Sequence, residues 1–478
     1  MQRLLNASIL LLITGILTGI AYSQSFQLRP RVEMLQTSGD HKLLLQNSYT
    51  HFQPFHSEQD NVITIQDTIP LQQWDGIGAS LTGSSAWILQ NLPKNRQQEI
   101  LMKLFSPKEG IGLNLVRISM GANDFSIPGN YSYDDMPNGQ TDVAMAHFSI
   151  VQDQTNVIPI LKKVQKINPN IKIFATPWSP PAWMKNNHSM NGGSINKAYY
   201  PSLAKYFVKF IQAYKEQRLP IYAISVQNEP LNSQDSYPTV YLSAQDESEF
   251  IANYLGPALK NAGLSNVKIL GLEHNWSDIT YAQTLLKSSA AKYLAGTAFH
   301  CYRGHPAMMT EIQKNYRDKG IWFTECTETT NSKFESSLKW HIKSLITSLP
   351  NHGSKSLLEW NLILDQNNGP HTGGCKNCIG LINLKRYQDT PDSAGDLSYS
   401  AAYYSLGHLG KFVSPGARVI RTEASSSVLS HTGFLNPDRS IVFIVYNPTD
   451  QAQSFTIHWN QFQLPYTISS NTVVSFKW

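Results

Sequence analysis

Short apolar runs that end in polar or acidic residues recur along the middle of this chain. Ile221-Tyr-Ala-Ile-Ser-Val-Gln-Asn-Glu-Pro230 is the clearest. Its β-branched first half reads as a buried parallel strand. Gln227, Asn228 and Glu229 then break the run, and Pro230 stops it by removing a ladder donor. Gly320-Ile-Trp-Phe-Thr-Glu325 repeats the pattern. Extended along the chain, it predicts strands near 74–79, 115–120, 171–177, 221–227, 267–273, 296–302, 321–325 and 357–364. Helical spacing fills several of the gaps. Over 201–217, Leu203, Tyr206, Phe207, Phe210, Ile211 and Tyr214 share one face, and Pro201 suits a first turn. Eight strands alternating with helices predict an α/β fold, a (β/α)8 barrel over residues 73–411.

Outside that span the texture changes. After Val413 the helices vanish, and 440–448, 453–459 and 472–478 read as strands between turn residues. Before the barrel, 26–70 alternates short β-type runs with polar breaks, 61–66 being the clearest strand. Neither end is long enough for a complete sandwich. Residues 24–72 and 412–478 are therefore expected to form one β-sandwich domain together.

The first residues carry a different signal. Arg3, the apolar stretch from Leu4 to Ile20, and Ala21-Tyr22-Ser23 have the three parts of a signal peptide. Residues 1–23 are expected to be removed by cleavage after Ser23, leaving a secreted or periplasmic protein. A membrane anchor is the weaker reading, because Asn6, Ser8, two Thr and two Gly interrupt the stretch.

Composition narrows the function. With 41% hydrophobic and 15% charged residues, the chain can bury a large core. A net charge of +5 with no run of Lys or Arg argues against nucleic acid as a partner. The 10 Trp and 22 Tyr are compatible with stacking on sugar rings. Of four cysteines, Cys375 and Cys378 lie in the loop His371-Thr-Gly-Gly-Cys-Lys-Asn-Cys378. A local disulfide is expected there rather than a zinc site with His371. Cys301 and Cys326, on different strand ends, are expected to be free buried thiols.

The C-terminal tips of barrel strands are where such folds place chemistry. Here they carry Arg117 with Asp124, Trp178 with Trp183, Asn228 with Glu229, Glu273, His300 with Tyr302, Glu325, and Glu359 with Trp360. No cluster has the spacing of a metal site, no loop is a phosphate cradle, and no serine sits in a nucleophile elbow, so no metal or cofactor is expected. Two carboxylates at the tips of buried strands are the parts needed to cleave a glycosidic bond. Glu229 is the expected acid/base, its pKa raised by desolvation and by its partner's charge. Glu325 is the expected nucleophile, with Tyr302 and Arg117 as donors. Asn228 is placed to hold a sugar 2-hydroxyl. Glu273 and Glu359 are reserve carboxylates.

Gly76-Ile-Gly-Ala79, Leu115-Val-Arg117 with Asn123-Asp-Phe-Ser126, Ser179-Pro-Pro-Ala-Trp183, Gln227-Asn-Glu-Pro230, Phe323-Thr-Glu-Cys326 and Trp360-Asn361 together resemble the family 30 glycoside hydrolases, most of all their glucosylceramidase-like branch. The resemblance covers nearly all of the chain after the signal. It implies a β/α barrel fused to a sandwich built from both chain ends, with the acid/base at Glu229 and the nucleophile at Glu325. It also implies glucose binding by Asp124, Trp178, Asn228 and Trp360, with His300 and Tyr302 beside the nucleophile. Three stretches depart from the family pattern. Thr82-Gly83 stands where Thr-Asp is common, His300-Cys-Tyr302 lacks the central tryptophan of the lysosomal branch, and Gly373-Gly-Cys-x-x-Cys378 looks like bacterial members. The resemblance implies a secreted retaining β-glucosidase acting on glucosylceramide or a related β-glucoside, with peripheral lipid contact if the substrate is a glycolipid. The alternatives are an endo-β-1,6-glucanase or a β-xylosidase of the same family and, more remotely, a non-catalytic carbohydrate-binding protein.

Overall fold

A computed structural model describes residues 29–55, 61–127, 129–384 and 397–478, so the expected signal segment lies outside the described residues. Eight strands form one parallel sheet: β1 (Gly76–Ser80), β2 (Leu115–Ser119), β3 (Lys172–Thr176), β4 (Ile221–Ser225), β5 (Lys268–Asn275), β6 (Leu294–His300), β7 (Gly320–Glu325) and β8 (Ser356–Glu359). From β1 to β7 each strand pairs with the next in sequence, and β8 returns to β1. The ring closes where Lys355 N donates to Ile321 O at 2.8 Å and Ile321 bridges Ser354. This is the expected (β/α)8 barrel.

The barrel interior is filled, not hollow. Leu115, Phe174, Ala223, Leu270, Ala298, Trp322 and Leu358, one from each of β2 to β8, pack as a single buried layer. At that level β1 contributes Gly78, paired with Leu115 and Leu358. A Cβ on Gly78 would stand 2.0 Å from the Leu115 carbonyl oxygen, so only glycine fits between the two strands. The helix expected at 201–217 is observed as Tyr200–Glu216 and buries the apolar face read from its spacing.

The second domain is a ten-stranded sheet folded over on itself, with strands from both ends of the chain. Arg31–Ser38 lies between Gln46–His51 and Thr472–Lys477, antiparallel to both. Val62–Gln73 pairs with Arg418–Ala424 and with Gln453–Trp459. Met34, Phe443, Val445, Val474 and Phe476 point into the sandwich core against Phe455, Ile457 and Leu464. Their alternates Leu35, Val442, Ile444, Tyr446 and Val473 join the barrel core instead. Both faces of these strands are covered, which is why 440–448 reads as an unbroken apolar run. His408, on the barrel helix Ala401–Gly410, reaches into the sandwich and bonds Ser475 and Thr37, both at 2.9 Å.

Two disulfides are present. Cys375–Cys378 is the local bridge expected. Cys301 and Cys326 are also bonded, not free thiols as their separate strands suggested. Neighbouring strands β6 and β7 pair His300 with Glu325, so the two cysteines that follow stand side by side, Cα atoms 5.4 Å apart.

Candidate active site

Arg117 is the hub around which the upper end of the barrel is arranged. It rises from the middle of β2 and is fully buried. Its guanidinium donates to Glu325 Oε2 at 2.5 Å and to Asn228 Oδ1 at 2.6 Å, and stands 3.0 Å from Glu273 Oε1. Trp178 and Trp360 lie over it at 4.8 and 5.6 Å and stack on each other at 5.2 Å. One buried cation thus orients residues from four other strand ends (β3, β4, β7 and β8) and pairs with Glu273 of β5.

Glu325 is the last residue of β7, and Tyr302 donates to its Oε1 at 2.8 Å. Glu229 lies just beyond β4 with φ of 45°, and its N–H donates to Glu273 O at 3.0 Å. Glu273 itself has φ of 60°. Non-glycine residues held in the left-handed region store backbone strain, and such residues gather at functional sites. His300 stands between the acids. Its Nδ1 is 3.3 Å from Glu229, its Nε2 is 3.1 Å from Glu273, and Glu325 is 3.9 Å away. One oxygen of Glu229 and one of Glu325 lie within 4.8 Å of each other. So near an approach is compatible with the ~5–5.5 Å carboxyl separation used for covalent glycosyl transfer.

The charges depend on His300. Burial would strip its proton, but the charge of Glu325 and the bonds to Glu229 and Glu273 outweigh burial and push the imidazole up to about 9. Burial would likewise raise Glu229; the hydrogen bond and charge of His300, then His274 and Asn232, bring it down to about 2. The expectation of a raised Glu229 fails, because it counted the partner carboxylate and not the imidazolium beside it. Glu273, buried but facing Arg117 and His300, is also held down, to about 2. Asp124 goes the other way. Burial, then the charges of Glu325 and Glu229, push it up to about 8, so it holds a proton at neutral pH and can donate as well as accept.

The loop after Trp360 closes over Asp124. Thr372 N donates to Asp124 O at 2.7 Å, and a Cβ on Gly374 would stand 2.3 Å from Asp124 Oδ2. Cys375 and Cys378 pack with Phe125, Trp178 and Trp360, so the local disulfide backs the aromatic wall.

Arg117, Trp178, Asn228, Glu229, His300, Tyr302, Glu325 and Trp360 form one linked set, with Asp124 facing it. Of the reserve carboxylates, Glu273 joins the set, while Glu359 stands apart from it, 3.4 Å from His341, and is raised by burial and then by Glu328. Trp183 serves elsewhere, donating to Asp134 O at 3.0 Å. Asn232, which donates to Glu229 at 3.0 Å and to Tyr237 at 3.1 Å, was missed. Both sit in an irregular loop, and only the proximity of Asn232 to Glu229 in sequence could have marked it. Glu229, His300 and Glu325 have metal-like spacing, yet Arg117 and the imidazolium already supply positive charge there and oppose a divalent ion.

Residues 74–413 match the model of the glycosyl hydrolase family 30 TIM-barrel domain, and 416–476 that of the family 30 beta sandwich domain. The chain belongs to glycoside hydrolase family 30. It is an O-glycosyl hydrolase by family. Among its relatives is an endo-1,6-β-D-glucanase of Neurospora crassa, 33% identical over 369 residues, 75% of this chain and 74% of the relative. The lysosomal acid glucosylceramidase of Mus musculus is 30% identical over 430 residues, 83% and 79% of the two chains. The solved structure of an endo-β1,6-glucanase superposes with a TM-score of 0.86 at 29% identity, covering 94% of this chain and 99% of that one.

Proposed function

We propose that this family 30 enzyme is an exported endo-β-1,6-glucanase that works by double displacement. The observation that carries the mechanism is the pair Glu229 and Glu325, one oxygen of each within 4.8 Å, set at the tips of β4 and β7. Glu325 attacks the anomeric carbon, its trajectory set by Arg117 and Tyr302. Glu229 delivers a proton to the departing oxygen and then takes one from the incoming water. In the free enzyme that proton rests on His300, 3.3 Å from Glu229, and passes to Glu229 when substrate displaces water and desolvates the pair. Asn228 is held by Arg117 to meet the sugar 2-hydroxyl, Trp178 and Trp360 wall the ring, and neutral Asp124 bonds further hydroxyls.

The glucan is preferred to a glycolipid because endo-1,6-glucanases are found among both the curated relatives and the solved structures. The mouse glucosylceramidase supports the second reading, a glucosylceramide-type substrate. Export is supported by the signal pattern in 1–23 and by two disulfides, which persist in oxidising compartments.

Linear β-1,6-glucan, glucosylceramide and an aryl β-xyloside assayed side by side test this. Rapid loss of glucan chain length with oligosaccharide products and retained anomeric configuration is expected. Release of glucose alone, or faster turnover of glucosylceramide, overturns the substrate reading. For the roles, Glu229→Ala should accept azide and regain turnover of an activated aryl glucoside, whereas Glu325→Gln should stay inert with azide. The reverse pattern exchanges the two assignments.

A further inference from the structure

We propose that the Cys301–Cys326 disulfide is a positioning element for the hydrolytic reaction, a covalent brace that holds Glu325, His300 and Tyr302 in register. The inference rests on reading Glu325 as the nucleophile.

Its place in the chain is the first argument. Cys326 directly follows Glu325, and Cys301 is the residue between His300 and Tyr302. The bond therefore joins the two chain segments that supply the nucleophile and two of its polar neighbours. Its place in the ladder is the second. The β6–β7 pairing slips between Phe299 and His300, so Phe299 faces Phe323 while His300 faces Glu325. Regular backbone pairing ends there, and the strands have no further ladder bond to fix their tips. The third argument is the load on those tips. Three carboxylates, half-buried Glu229 and buried Glu273 and Glu325, crowd against Arg117 and His300, and like charges at such distances repel one another. The brace also reaches a third strand, because Trp360 N donates to Cys326 O at 2.6 Å.

The bond borders an open cleft beside the site. Cys326 is buried, but Cys301 is half-buried, and both line a cleft of about 440 Å³ shared with Tyr302, Thr327, Ser332 and Trp340. Dithiothreitol can therefore deliver two electrons to the bond, leaving Cys301 and Cys326 as thiols and itself as its cyclic disulfide.

A positioning role and a merely stabilising one differ in what they move. In the Cys301→Ser/Cys326→Ser enzyme, kcat for an aryl β-glucoside should fall ~10- to 100-fold with KM changed far less, because a shift on the order of 1 Å at the nucleophile suffices for that. The basic limb of its pH profile should move, since His300 loses its place. A 2-deoxy-2-fluoroglucoside should still label Glu325, only more slowly in proportion. In a Cys375→Ser/Cys378→Ser background, which removes the other reducible bond, dithiothreitol should cause the same loss at unchanged far-ultraviolet circular dichroism, and adding Cys301→Ser/Cys326→Ser should abolish the response to the reagent. Should the serine pair not fold, Cys301→Val/Cys326→Ala, which fills the same space, takes its place. Inactivation and turnover within twofold of wild type in a folded variant overturn the inference. Labelling at any residue other than Glu325 overturns instead the reading on which it rests.

Discussion

At the residue scale, His300 governs the protonation of the site. It carries a proton up to about 9 while Glu229 beside it is held down to about 2, so the two titrate as a pair that keeps one proton across neutral pH. In His300→Asn that proton can rest only on Glu229, whose pKa rises once the imidazolium is gone but stays far below 9. The basic limb of kcat/KM should therefore move to lower pH by one unit or more, measurable with an aryl β-glucoside. An unmoved limb would mean that another group holds the proton. The sign for stability runs the same way. The raised imidazole pKa contributes stability that is complete below its ordinary 6.5 and is lost as pH rises through about 9. Sequence reading found His300 but missed this coupling. The distance between the tips of β4 and β6 is a property of strand order, and no spacing within either segment reports it.

At the element scale, the upper rim is built by strands that stop in register and by loops that close over them. The eight strands were legible, because both faces of a parallel strand are covered and its run is continuous. Glu229, Glu325 and Arg117 were legible for the same reason, as polar residues interrupting or ending such runs. The Cys301–Cys326 bond was not, since it depends on the register of β6 against β7. The loop 371–378 was only half legible: its local disulfide followed from spacing, its contact with Asp124 did not. That contact leaves no room for a side chain at Gly374. Gly374→Ala should push Asp124 or the loop aside and lower kcat/KM by ~10- to 100-fold. Secondary structure by far-ultraviolet circular dichroism should be unchanged. Full activity would show that Asp124 takes no part in sugar binding.

At the scale of the whole molecule, barrel and sandwich share their burial. Alternate residues of Ile441–Asn447 and Thr472–Lys477 serve the two cores, and His408 bonds across the boundary while burial holds its imidazole down to about 3, hence neutral. Deleting 472–478 would uncover Leu35, Val442 and Ile444 of the barrel side together with Met34 and Phe443 of the sandwich side. The truncated chain should lose its folded barrel as well as its sandwich, read as protease sensitivity throughout rather than at the C-terminal end. A protease-resistant, active barrel would contradict the shared-core account.

The pairing of Arg31–Ser38 with Thr472–Lys477 also sets a timetable. The hairpin of Arg31–Ser38 and Gln46–His51 is made with one edge and the apolar side chains of Arg31–Ser38 bare, and its remaining partner, Thr472–Lys477, follows only about 420 residues later. At ordinary synthesis rates of about 5–20 residues per second, that interval is on the order of 20 to 90 seconds. Throughout it, an unpaired strand edge is exposed to every other nascent copy. The yield of this enzyme should thus depend on how well that edge is shielded until Thr472–Lys477 arrives.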